Sequence, residues 1–150
     1  MENEISAESI ADLEKRLRYI SGIIKQNGRK ILENYPITAP QFIALQWLVE
    51  EGDLTIGELS KKNGLAFSTT TDLVDRMEKN KLVERVRDVN DRRVVRIHVL
   101  KKGRSIIEEV ITKRQEYLGE ILQSFSLEQT GTLNELLSLL HKQMKSFHDK

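Results

Sequence analysis

Between residues 85 and 100 the chain reads RVRDVNDRRVVRIHVL. Two runs rich in β-branched residues flank a polar loop carrying Asp88, Asn90, Asp91, Arg92 and Arg93. Paired arginines on an exposed tip pack little, so their chemistry faces outward: a guanidinium offers a fixed fork of donors to phosphate or to base edges. Nearby carboxylates, here Asp88 and Asp91, either neutralise such an arginine or hold it in one direction. A second cluster, Ser68, Thr69, Thr70 and Thr71, supplies four hydroxyls in a row. At the start of a helix these serve either as a cap with solvated neighbours or as donors to phosphates and base edges. Arg76 and Arg85 stand as core-edge groups or as phosphate contacts.

Other chemistries find little support. The sequence contains no glycine-rich phosphate loop, nucleophile elbow, HExxH motif or paired carboxylates in an apolar setting, so no catalytic residue is assigned and no enzyme is expected. It has no cysteine, which removes disulfides, thiolate catalysis and cysteine-ligated zinc. His141 and His148 lie two helical turns apart without a carboxylate cluster at ligand spacing, so no metal and no cofactor are assigned. The acidic start MENEISAESIADLEKRL has neither a basic nor an apolar export region, and with no apolar run long enough to span a bilayer a cytoplasmic protein is expected.

The net charge of +1 conceals a division along the chain. Residues 61 to 104 hold thirteen basic and six acidic side chains, a balance of +7, whereas the rest carries −6. A basic middle between acidic flanks suits a polyanion-binding face on an acidic scaffold, although a solvated charged surface has the same composition.

The elements that must position these groups follow from periodicity. Ile10, Leu13, Leu17, Ile20, Ile24 and Ile31 recur at helical spacing and predict a helix from 9 to 34, stopping before Pro36. A second helix, from Pro40 to Gly52, contains PQFIALQWL. TIGE, Thr55 to Glu58, is a capping box opening a short helix that closes at Asn63 and Gly64. Ser68 is expected to cap the next helix, STTTDLVDRMEKN, with Leu73, Val74 and Met77 inward. LVERVR and VVRIHV then form a β-hairpin joined by residues 88 to 93. A long helix follows through Ile106, Ile107, Val110, Ile111, Leu118, Ile121 and Leu122, and SLEQ caps a last one through Leu133, Leu136, Leu137, Leu140, Met144 and Phe147. The terminal helices carry more apolar stripe than one small domain covers, which predicts a second copy as partner. The fold class is therefore mainly α with a small hairpin wing: a winged helix-turn-helix, dimeric through its N- and C-terminal helices.

The run TIGELSKKNGLAFSTTTDLVDRMEKNKLVERVRDVNDRRVVRIHVLKKG resembles the MarR family of bacterial transcriptional regulators, and the likeness extends over essentially the whole chain. Its specific parts are LVDRMEKNKLVER and the wing signature Asp91, Arg92, Arg93 followed by an alternating strand and KKG. Where the family usually ends that strand with a Leu-Thr pair, Val99 and Leu100 stand here. The resemblance implies residues 1-36 and 104-150 as a helical dimerisation region and 37-103 as a DNA-binding lobe. It implies Ser68, Thr69, Thr70, Thr71, Arg76, Arg92 and Arg93 at the DNA, with Asp91 holding Arg93 and Arg92 facing solvent or phosphate. It further implies a repressor on a near-palindromic operator, released by a small aromatic or lipophilic effector lodged near Tyr35, Phe42 and Trp47. The alternative from another class is a helical adaptor whose winged helix binds protein instead of DNA.

Overall fold

Side chains that take up free N–H groups mark most of the helix starts in this chain. The computed structural model describes residues 4–149, as α1 (Ala7–Leu32), α2 (Ala39–Glu51), α3 (Ile56–Asn63), α4 (Phe67–Lys79), β1 (Val83–Arg87), β2 (Val95–Val99), α5 (Lys101–Leu122) and α6 (Leu127–His148). Two compact units, Met1–Thr112 and Lys113–Lys150, divide within α5. Full capping boxes open α2 (Thr38 with Gln41), α3 (Thr55 with Glu58) and α6 (Ser126 with Gln129), while Ser6 caps α1. Gly64 closes α3 in the left-handed conformation, φ 69°, as a residue without Cβ does at little cost. No helix is long and apolar enough to cross a membrane among the described residues.

The start of α4 differs from expectation. Ser68 does not cap it: the N-cap is Ala66, which has no side-chain bond to give, and the helix opens at Phe67. The hydroxyls turn back along the helix instead, with Thr70 Oγ1 donating to the Ala66 carbonyl at 3.0 Å and Thr71 Oγ1 to the Phe67 carbonyl at 3.1 Å. Serine and threonine readily make such i−4 bonds inside a helix.

One core joins the helix-turn-helix to the hairpin. Phe42, Leu45 and Leu48 of α2, Leu59 of α3, Val74 and Met77 of α4, and Ile106, Ile107 and Val110 of α5 are buried together with Leu82, Val83, Ile97 and Val99. Each such side chain stabilises the fold by about 1.5–3 kcal/mol before its ordering entropy is counted. The strands pair antiparallel, with Val83 opposite Val99 and Arg85 opposite Ile97. Ile97 also donates to the Leu54 carbonyl at 2.6 Å, which anchors the hairpin to the segment preceding α3.

The glycine of KKG has a steric reason. A Cβ on Gly103 would lie 2.5 Å from the Leu82 carbonyl and 3.2 Å from side-chain atoms of Leu45 and Val99. The Leu82 carbonyl is itself held by the Leu100 N–H at 2.9 Å, so it cannot yield cheaply. Gly103→Ala is expected to destabilise the unit by about 1–3 kcal/mol despite the better helix propensity of alanine. Thermal unfolding checks this: a variant melting at or above the parent temperature would mean that α5 shifts freely here.

Candidate nucleic-acid interface

Two surfaces of the unit Met1–Thr112 carry the groups that the sequence singles out. The first is the opening turn of α4. Ala66 makes no side-chain cap bond at the positive end of this helix, where N–H groups and the helix dipole favour an anion. Ser68 and Thr69 are exposed there, and Thr71 is half-buried. Arg76 is exposed seven residues beyond Thr69, two turns along the same face. Thr70 is a correction: it is fully buried and its hydroxyl is spent on the Ala66 carbonyl, so it packs the helix onto the core and offers nothing outward. The exposed aromatic ring of Phe67, the first residue of α4, adjoins this turn. Sequence reasoning passed over it, since only the earlier helix start brings it there.

The second surface is the hairpin tip, where a short loop is ordered by its own carboxylates. Asp88 accepts the backbone N–H groups of Asn90 and Asp91 at 3.0 and 3.1 Å. Asp91 accepts the backbone N–H of Arg93 at 3.0 Å, while its two oxygens take Arg93 Nε and Nη2 at 3.1 and 3.2 Å. The Arg93 side chain remains 91% exposed, so the fork is aimed without being buried. Arg92 is exposed, and its carbonyl accepts Arg87 Nη1 at 2.7 Å.

Both tip carboxyls are held below the usual carboxylate range, Asp91 first by the Arg93 side chain and Asp88 first by the Arg96 guanidinium. A carboxylate with a lowered folded value contributes its ordering above its unfolded value of about 4 and loses it as pH falls through the lowered value. The tip therefore keeps these bonds across the neutral range.

Arg85, open between two roles at the level of sequence, is committed inward: it bonds Asp75 and Glu78 of α4 and braces the base of the hairpin. Sequence reasoning also missed Arg96, whose guanidinium bridges Asp88 at 2.7 Å and Glu58 at 3.2 Å. Its position among outward residues of an alternating strand was the available signal.

The three aromatic residues assigned to an effector differ in burial. Phe42 is 2% exposed and fills the core. Tyr35 and Trp47 are half-buried against the same core, and Lys62 Nζ lies 5.0 Å from the centre of the Trp47 ring. A cleft of about 400 Å³ lies between the start of α2 and α4, lined by Thr38, Pro40, Gln41, Thr69, Leu73 and Arg76 among others.

A helix-turn-helix followed by a braced, arginine-tipped hairpin agrees with the comparisons. Residues 37–95 match the sequence model of the MarR family. The HTH-type transcriptional regulator YsmB of Bacillus subtilis (strain 168) is 61% identical over 92% of this chain and 94% of its own. A MarR family protein from Bacillus stearothermophilus superposes with a TM-score of 0.91 at 59% identity, over 95% of this chain and 99% of that one. FabT of Streptococcus pneumoniae, solved in complex with DNA, shares the fold at 22% identity with a TM-score of 0.78, over 92% of this chain and 99% of that one. Similarity of this extent in both sequence and fold means that the chain belongs to the MarR family of HTH-type transcriptional regulators.

Proposed function

We propose that this regulator is a cytoplasmic homodimeric repressor that occludes promoter DNA and lets go when a small aromatic or lipophilic effector binds. One observation carries the DNA contact: an arginine fixed by a two-oxygen carboxylate pair on an exposed tip, in the same unit as an uncapped helix start bearing Ser68 and Thr69. In this reading Ser68, Thr69, Thr71 and Arg76 of α4 meet the major groove. Arg93 enters the neighbouring minor groove, where a narrow A·T-rich stretch deepens the negative potential. Arg92 meets a phosphate. The DNA complex of FabT, a protein of the same fold, supports that use of the lobe comprising residues 37 to 103.

Dimerisation rests on uncovered apolar surface. Ile10, Leu13, Leu17, Ile20 and Ile24 of α1 are exposed, as are Leu136, Leu137, Met144 and Phe147 of α6. Stripes of that length on two helices call for a partner, and a two-fold dimer predicts a near-palindrome with half-sites about one helical turn apart. Effector binding then shifts the population toward a dimer whose recognition helices no longer match successive grooves. Tyr35 and Trp47 are the more exposed aromatic candidates for its site.

Light scattering on the intact chain should give twice the monomer mass at micromolar concentration, and a stable monomer would remove the dimer. Selection of bound sequences from random duplexes should return near-palindromes, followed by a screen for compounds that release them. A protein that retains no duplex, selected or random, would be read as the adaptor instead.

A further inference from the structure

Three side-chain contacts tie the hairpin to the rest of its unit among the described residues: Arg85 with Asp75 and Glu78, His98 Nδ1 with Asp53, and Arg96 with Glu58. Arg96 alone among them also bonds the tip loop, through Nε to Asp88 Oδ1 at 2.7 Å. Asp88 uses its other oxygen to hold the N–H groups of Asn90 and Asp91, and Asp91 holds Arg93. At the opposite end, the Glu58 oxygen that accepts Arg96 also accepts the Thr55 N–H at 3.0 Å, closing the capping box that starts α3. A continuous chain of charge-assisted bonds therefore runs from the first helix of the helix-turn-helix to the groove-directed arginine.

We propose that Arg96 is a positioning residue for DNA recognition, which sets the direction of the wing tip relative to α3 through Asp88 and Glu58, so that Arg93 and the helix-turn-helix engage a duplex as one preformed surface. It acts through Asp88 and Arg93: its side chain is 34% exposed, with Nε held by Asp88 and Nη1 by Glu58. The physical need is entropic. The loop from 88 to 93 has no apolar core of its own, and an exposed long side chain that must be immobilised on binding weakens association by about 2- to 12-fold. A guanidinium suits the task because one planar group reaches two carboxylates, which an ammonium on a flexible stem does with less geometric control. The proposal rests on the DNA reading above, but part of its test needs no DNA.

The test uses the full chain with Arg96→Gln and, independently, Glu58→Gln, whose side-chain amide oxygen preserves the capping box while removing the charge. In the free protein, amide exchange at Asn90 and Asp91 should quicken in Arg96→Gln while core amides at Leu45 and Ile97 stay protected. On a selected operator, Arg96→Gln should bind about 2- to 12-fold more weakly and lose most of the preference for A·T-rich over G·C-rich flanks. Arg93→Ala with Arg96→Gln should bind no more weakly than Arg93→Ala alone. Unchanged exchange at the tip, or a binding loss that is independent of flank and additive with Arg93→Ala, overturns the proposal; the additive result would mean that Arg96 contacts DNA directly. Faster tip exchange in a protein whose parent retains no duplex would leave the positioning chain standing and fail the DNA reading instead. Should Arg96→Gln fail to fold, Glu58→Gln carries the same exchange and flank comparisons.

Discussion

Duplex binding by the intact protein is expected to weaken by about 10³- to 10⁵-fold as salt rises from about 50 to about 200 mM, with log K falling at a slope of about −5 to −9 against log salt. The expectation comes from the basic segment at 61 to 104, with its balance of +7, and from which of its cations remain outward. Arg85 and Arg96 are committed to carboxylates within the fold. Arg76, Arg92, Arg93, Lys79 and Lys101 are exposed. About three to five phosphate contacts in each subunit, doubled in the proposed two-fold dimer, would release enough counterions for that slope. Titrating one duplex at several salt concentrations measures it. A flat response would sink the DNA reading and favour the adaptor, because an interface with protein is not built on a condensed counterion atmosphere.

Arg93→Ala is expected to weaken operator binding by about 5- to 150-fold, most strongly where the flanks are A·T-rich, because in the proposed reading the lost guanidinium senses groove width and potential more than base identity. Asp91→Ala sets two effects against each other. Removing a negative charge near phosphates strengthens binding on Coulomb grounds, but screening over about 8–10 Å of saline limits that gain. Against it stands the loss of three bonds to Arg93, one from its backbone and two from its side chain, so the arginine regains rotamer freedom that binding must then remove. Positioning outweighs repulsion, and Asp91→Ala should bind more weakly than the parent while melting at nearly the same temperature, since the pair lies at the surface. Gel-shift titrations of both single variants and the double decide the matter. Tighter binding by Asp91→Ala, or strictly additive losses, would show that the carboxylate does not work through Arg93.

The sequence alone determined whatever short-range chemistry controls. The Thr55 and Ser126 capping boxes, the left-handed closure at Gly64 and the period-two alternation that turns Ile97 and Val99 inward are local, so side-chain types within four residues suffice to place them. The Asp91 and Arg93 pair, which the resemblance to the family implied, is likewise local, its partners two residues apart at a tight tip. The helix ends shifted by about two residues at α1, from 9–34 to Ala7–Leu32, as frayed ends do.

Tertiary structure decided what depends on which face is buried and on residues far apart in the chain. Four hydroxyls at 68 to 71 are alike as letters, yet a helix start at Phe67 turns Thr70 under and leaves Ser68 and Thr69 out. The left-handed residue between α4 and β1 is Lys81, φ 61°, although the neighbouring Asn80 is the type that tolerates that conformation better; the Leu82 N–H reaching the Met77 carbonyl at 2.9 Å sets the register of that turn. Phe42 and Trp47 lie five residues apart on one helix, and only tertiary packing makes the first a core residue and leaves the second half-buried. The bond from Arg96 to Glu58 spans 38 residues. No local rule pairs two charges at such separation, because their meeting is set by how the hairpin seats on α3, and that is fixed by burial of the shared core and not by the charges themselves.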